Sequence, residues 1–294
     1  MGLFTRKQDT FDASIPRQCA TCGHSFNGRY CNLCGEKVVE LNERTLRYFL
    51  GHVLNAFTFI DGKFWRSFKT MVTRPGGMAK EICDGKRQPY MRPISFFFVA
   101  NVIYFLFPLF QTFTAPLNAQ VYYMSYSRAL GFEELVHERI EKEGTSYEEF
   151  QARYNPHSEY VSKLTLVLLP LIFSLFVSLI FIRRKLLYVD TLTFSLEFMS
   201  FALFIVTILL SLFLISLVWI GQLVSFNAEW LVDDQFLAPL SLVLSAVFLF
   251  FAVRNFFRLS VVWSVVGAIA LTHATLATIE IYRIILFYIT LATV

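Results

Sequence analysis

"TFSLEFMSFALFIVTILLSLFLISL" runs from Thr193 to Leu217, and its 25 residues hold one ionisable group, Glu197. As a helix it would measure about 37 Å, more than the roughly 30 Å of hydrocarbon in a bilayer. The stretch reads as a transmembrane helix. Composition agrees: the chain has 294 residues, 55% of them hydrophobic and 16% charged, with 33 Phe. Soluble domains run nearer 45–50% apolar and about 25% charged. The excess apolar surface calls for a non-aqueous solvent.

Working outward, four more apolar stretches suggest a mostly α, polytopic membrane protein of about five spans. They are Ile94–Phe113, Val161–Ile182, Phe236–Val253 and one long helix within Leu259–Val294. The segment Thr114–Tyr160 carries four Lys or Arg against eight Glu, with a charged helical stretch near Phe132–Glu143, and is expected to be a water-exposed insertion. Residues 1–93 contain 15 Lys or Arg against 8 Asp or Glu, a net of +7, and no apolar run long enough to span. Met1–Gln18 is not expected to be a signal or transit peptide. Basic residues precede span one and follow spans two (Arg183, Arg184, Lys185) and four (Arg254, Arg258), whereas the loops after spans one and three are acidic. The positive-inside rule then places the N-terminus in the cytoplasm and the acidic loops outside.

Near the front, "CATCGHSFNGRYCNLCG" spans Cys19 to Gly35. Cys19, Cys22, Cys31 and Cys34 form two C-x-x-C pairs, each followed by glycine, and such pairs point four sulfurs at one tetrahedral ion. Disulfides, an iron–sulfur cluster and a redox C-x-x-C are the alternatives. Disulfides need an oxidising compartment, and a redox motif needs a βαβ context that is absent. A structural zinc ribbon is therefore expected, with Phe26 and Tyr30 packed between the knuckles and with His24 and Cys83 outside the ligand set. Zinc would supply folding free energy on the order of 10 kcal/mol to a module too small for its own core. Arg17, Arg29 and Lys37 against Glu36 make a weak basic signal, so a protein partner is expected rather than nucleic acid.

Residues 43–72 read as two amphipathic helices broken near Asp61-Gly62. Phe64, Trp65, Phe68 and Met71 make an apolar face suited to the headgroup boundary. Three regions follow: a ribbon (1–42), basic juxtamembrane helices (43–93) and a transmembrane domain (94–294) with its insertion (114–160). Lys86 lies in no nucleotide-binding loop, because Lys80 and Arg87 stand where that loop needs Gly and Ser or Thr.

"TRPGG" at Thr73–Gly77 and "DGKRQPYMRPISF" at Asp84–Phe96, placed after a four-cysteine ribbon, resemble the bacterial family catalogued as domain of unknown function 3667. Weaker likeness continues through "YVDTLTFSLEFMSF" and "IYRIILFYITL", so the resemblance covers essentially the whole chain. At Glu197 the chain departs from the histidine usual in that family. The resemblance implies a ribbon on several membrane helices and brings no established reaction.

Ionisable groups at membrane depth suggest function. Glu197, His273, Glu280 and Arg283 are the candidates, and for Glu197 the alternatives are a structural pair with an Arg or His and an interfacial position near the cytosolic end. Arg74, Lys86, Arg87 and Arg92 could meet lipid headgroups or phosphate, a role on which a lipid-phosphate enzyme would also depend. No catalytic set is visible. The expectation is a non-enzymatic inner-membrane protein whose zinc ribbon recruits or senses a cytosolic partner, in contact with membrane lipids; the alternative is a transporter or lipid-handling protein using the intramembrane ionisable residues.

Overall fold

A computed structural model describes residues 14–19, 21–35, 62–106, 113, 116–223 and 228–294. The chain divides into two compact units, Met1–Asp61 and Gly62–Val294. The first helix expected from residues 43–60, and the far half of the span expected at Ile94–Phe113, lie outside the described residues.

In the first unit, strands β1 (Pro16–Gln18) and β2 (Ser25–Asn27) pair antiparallel, with Arg17 opposite Phe26. Two three-residue strands cannot enclose a core. The buried cluster here is Cys19, Phe26 and Cys31. Phe26 is buried as expected, but Tyr30 is 59% exposed and does not pack between the knuckles.

The second unit is helical: α1 (Gly62–Thr73), α2 (Gly77–Cys83), α3 (Pro93–Leu106), α4 (Phe132–Glu143), α5 (Tyr147–Thr165), α6 (Leu168–Ile180), α7 (Tyr188–Leu223), α8 (Asp234–Phe257) and α9 (Val261–Thr293). Three helices, α7, α8 and α9, are long and apolar enough to cross a membrane, and α5 with α6 makes a fourth if that pair, bent by 55°, is one span. The bend sits ahead of Pro170, whose missing N–H removes a ladder bond. The described part of the first expected span, α3, has 14 residues, shorter than a full crossing. The chain is thus a polytopic α-helical protein with three to four membrane-capable helices among the described residues.

Packing explains the order. Helix α6 lies against α7 and α9, α8 against α9, and α3 against α7. Aromatic rings fill the joints: Phe201 stacks on Phe248 at 4.0 Å and Phe181 on Phe257 at 3.9 Å. Small residues allow close approach, since a Cβ on Gly267 would come within 3.1 Å of Val253 and 3.2 Å of Phe181. Within α7, residues Ala202–Leu209 form a π-helical segment, where the Thr207 hydroxyl donates to the Ala202 carbonyl at 3.1 Å. The apolar face of α1 turns to protein rather than to headgroups: Phe64 and Phe68 pack on Phe96 and Phe204, and Met71 is fully buried, while Trp65 stays 56% exposed.

These contacts give the unit two ends. The turns at Arg183–Lys185 and Arg258 mark a basic end, where Phe181 meets Phe257. At the other end the acidic insertion folds into α4 and α5, with a capping box at Ser146 and Glu149 and ion pairs from Glu143 to Arg139 and Arg153. Its core of Leu117, Val121, Phe132, Val136, Phe150 and Tyr154 closes on Phe287 of α9.

Candidate functional site

The four cysteines of the ribbon come together, with all four sulfurs within 4.8 Å of one another. Sγ of Cys19 lies 3.4 Å from that of Cys34, and Sγ of Cys22 lies 3.7 Å from that of Cys31. Ligands about 2.3 Å from a central ion at tetrahedral angles stand about 3.8 Å apart, whereas a disulfide needs about 2.05 Å. None of the four is in a disulfide, and the donor set fits a four-thiolate metal site.

Local sequence builds this geometry twice. The Gly23 amide donates to the Cys19 carbonyl and the Gly35 amide to the Cys31 carbonyl, both at 2.9 Å. Each glycine holds a positive φ, 71° and 79°, that a side chain would disfavour. The turned-in amides of Cys34 and Leu33 outweigh burial and hold the Cys31 thiol down to about 6, which favours the ligating thiolate. His24 is exposed, and Cys83 belongs to the other unit. There, burial and then Asp190 push the Cys83 thiol up to about 12, so it stays protonated.

The second constellation lies at the basic end. Glu197 is 1% exposed, and its partners are backbone N–H groups instead of an Arg or His. Oε1 accepts from Gly76 at 3.0 Å and Oε2 from Ala79 at 2.6 Å. Pro75-Gly76 breaks the helix and leaves the first amides of α2 bare, so the carboxylate of α7 satisfies donors that α2 cannot satisfy itself. From the other side, Asn255 Nδ2 of α8 donates to the Pro75 carbonyl at 2.8 Å. Gly76 has φ +73°, and a Cβ there would sit 2.5 Å from the Ala252 carbonyl oxygen. The Pro-Gly-Gly turn is therefore gripped between α7 and α8 through its own backbone groups, which carry no side-chain signature.

The following segment is tied down in turn. Glu81 receives Arg74 at 3.2 Å and the Tyr90 hydroxyl at 2.8 Å, while Ser67 Oγ accepts from the Met91 amide at 2.9 Å. Arg74 is thus engaged with protein, whereas Lys86, Arg87 and Arg92 project into solvent.

The remaining expected residues do not join Glu197. His273 is exposed on α9, its Nδ1 2.9 Å from the Ile269 carbonyl. Glu280 is exposed, and Arg283 reaches Met124 Sδ at 3.8 Å beside the acidic insertion. Glu280 lies 13 residues along α9 from Gly267, which sits level with Val253, so about 20 Å of helix separates it from the Glu197 level. Sequence reasoning missed Ala252 and Asn255. The signal that could have found the grip was a lone acid inside a span together with a Pro-Gly-Gly turn whose amides lack partners.

Residues 61–105 match the model of a family described as a protein of unknown function (DUF3667). The match takes in α1, α2 and α3, including the gripped turn; the ribbon, Glu197 and the later spans lie outside it, so it is narrower than the resemblance drawn from the sequence. No curated protein and no solved structure matches the chain.

Proposed function

We propose that this chain is a non-enzymatic integral protein of a bacterial inner membrane, whose cytoplasmic zinc ribbon binds a protein partner and holds it at the membrane surface. The convergence of four cysteine sulfurs on one point carries the reading. Zinc suits the donor set because it takes four thiolates tetrahedrally and needs no redox partner. Zinc, when bound, would supply the folding energy that the two short strands lack. What the chain's own residues then do is present a face: Tyr30 precedes the second knuckle and Leu33 lies within it, 59% and 69% exposed. Exposed aromatic and aliphatic side chains on a metal-stapled scaffold suit protein contact better than the phosphate contact of nucleic acid. The commitment of both Glu197 oxygens to backbone donors favours a structural role for that residue over a part in transport.

The test is metal content by mass spectrometry on detergent-purified full-length protein, wild type beside Cys31→Ser/Cys34→Ser, with in-cell crosslinking from position 33 in both. About one zinc per chain is expected in wild type, lost in the variant along with the crosslinked protein while the spans still insert. Full zinc in the variant would sink the ribbon assignment. A zinc-dependent ribbon with no crosslinked protein would sink the recruitment role.

A further inference from the structure

A cavity of about 400 Å³ opens between α6 and α7 at the basic end of the second unit. Its size falls within the range of small-ligand sites, roughly 300–1,000 Å³. The walls are divided by chemistry. Leu175, Leu179 and Leu186 supply apolar surface, and Ser178, Tyr188 and Thr191 supply hydroxyls. The hydroxyl side is internally braced: Ser178 Oγ lies 2.8 Å from Thr191 Oγ1, and Ser174 Oγ lies 2.8 Å from the Tyr188 hydroxyl.

Three cations stand beside the cavity in sequence. Ile182 and Leu186 both line the cavity, and the three residues between them, Arg183, Arg184 and Lys185, are exposed. None of the three makes an ion pair among the described residues, and the nearby Asp190 carboxylate is engaged by the Leu187 amide at 3.3 Å and by Cys83. Lys185 also holds φ +51°, a left-handed conformation that glycine would adopt with less strain. A positive-inside signal alone needs neither the cavity nor the hydroxyl wall. A second groove, between α8 and α9, is lined by Phe250, Phe251 and other apolar side chains with Thr272 and His273.

We infer that this cavity binds one anionic phospholipid, with its phosphate against Arg183, Arg184 and Lys185, its ester region along the hydroxyls, and an acyl chain over Leu175 and Leu179. An apolar wall, a hydroxyl wall beside it and three neighbouring cations match the three chemistries of such a lipid. The site is separate from the ribbon and does not depend on it.

The experiment uses full-length protein stripped of lipid in detergent and titrated with phosphatidylglycerol or phosphatidylcholine, bound lipids being counted by native mass spectrometry. Wild type should hold phosphatidylglycerol about tenfold more tightly than phosphatidylcholine. Arg183→Gln/Arg184→Gln/Lys185→Gln should remove that preference. Leu179→Trp, at a wall position 65% exposed, should reduce binding of both lipids by filling the cavity; Leu175→Trp serves if that variant does not fold, as judged by its unfolding temperature. Equal binding of the two lipids by wild type, or undiminished phosphatidylglycerol binding in a folded cavity-filled variant, overturns the site and leaves only annular lipid. Inorganic phosphate that displaces the lipid completely would reduce the site to an anion-binding rim and overturn the acyl-chain assignment.

Discussion

A single carboxylate, Glu197, joins two parts of the chain that are 118 and 121 residues apart in sequence. Glu197→Ala leaves the amides of Gly76 and Ala79 buried without their acceptors, at about 1–3 kcal/mol each, and thermal unfolding in detergent should drop accordingly. Glu197→Gln keeps one acceptor oxygen and should fall between that variant and wild type. An unchanged unfolding temperature for Glu197→Ala would show that the grip contributes nothing to stability. Gly76→Ala makes a sharper test, because the new Cβ meets backbone rather than a side chain that can swing away; the expected loss is about 3 kcal/mol or more. Gly85→Ala is the control. Gly85 also has positive φ, at +96°, but nothing lies within 4 Å of its would-be Cβ, so only the conformational cost of about 1–2 kcal/mol applies. Equal losses at the two glycines would mean that the approach to Ala252 does not matter. At this scale half of the site was legible. Glu197 and the four cysteines stand out as residue types, but the groups that receive Glu197 are amides, which every residue except proline possesses and no letter of the sequence marks.

Among the elements, α9 is the one whose length explains its role. Its 33 residues measure about 50 Å, some 20 Å beyond the hydrocarbon core. The surplus serves as a post on which α4 and α5 fold, with Phe287 stacked on Phe132 at 3.8 Å and Thr293 Oγ1 2.8 Å from His157 Nε2. Phe287→Ala should cost about 3–5 kcal/mol in the core of the insertion, and hydrogen exchange should rise across residues 116–165 while α7 and α8 keep their protection. Uniform loosening of every helix would contradict a separate outer core. The single long helix at the end of the chain and the charged helix at Phe132–Glu143 were both legible from composition and periodicity. Their docking was not, because Phe132 and Val136, like Phe150 and Tyr154, show only that a helix has an apolar face and do not name the partner that covers it. The bend before Pro170 was hidden similarly: the expected second span begins at Val161, inside a helix whose first turns are charged.

At the scale of the whole chain, the unit Gly62–Val294 is a helical bundle with a basic and an acidic end, an arrangement visible in the loop charges before any packing is known. Sidedness can be read with short protease sites inserted at Gly85 and at Gly144, both exposed and both open to added bulk. In sealed inside-out vesicles the Gly85 site should be cut and the Gly144 site spared, and intact cells with a permeable outer layer should give the reverse; the same result for both sites would refute the proposed topology. The number of membrane-capable helices was less legible than the orientation, since hydropathy sees α3 and the bent pair only as apolar length. One consequence of the reach of α9 concerns the order of events during synthesis. A ribosome makes the insertion well over a hundred residues before Phe287, so that module must wait, incomplete, until Phe287 is translated. A message broken off ahead of the Phe287 codon would therefore yield a chain whose acidic insertion lacks the ring that closes its core.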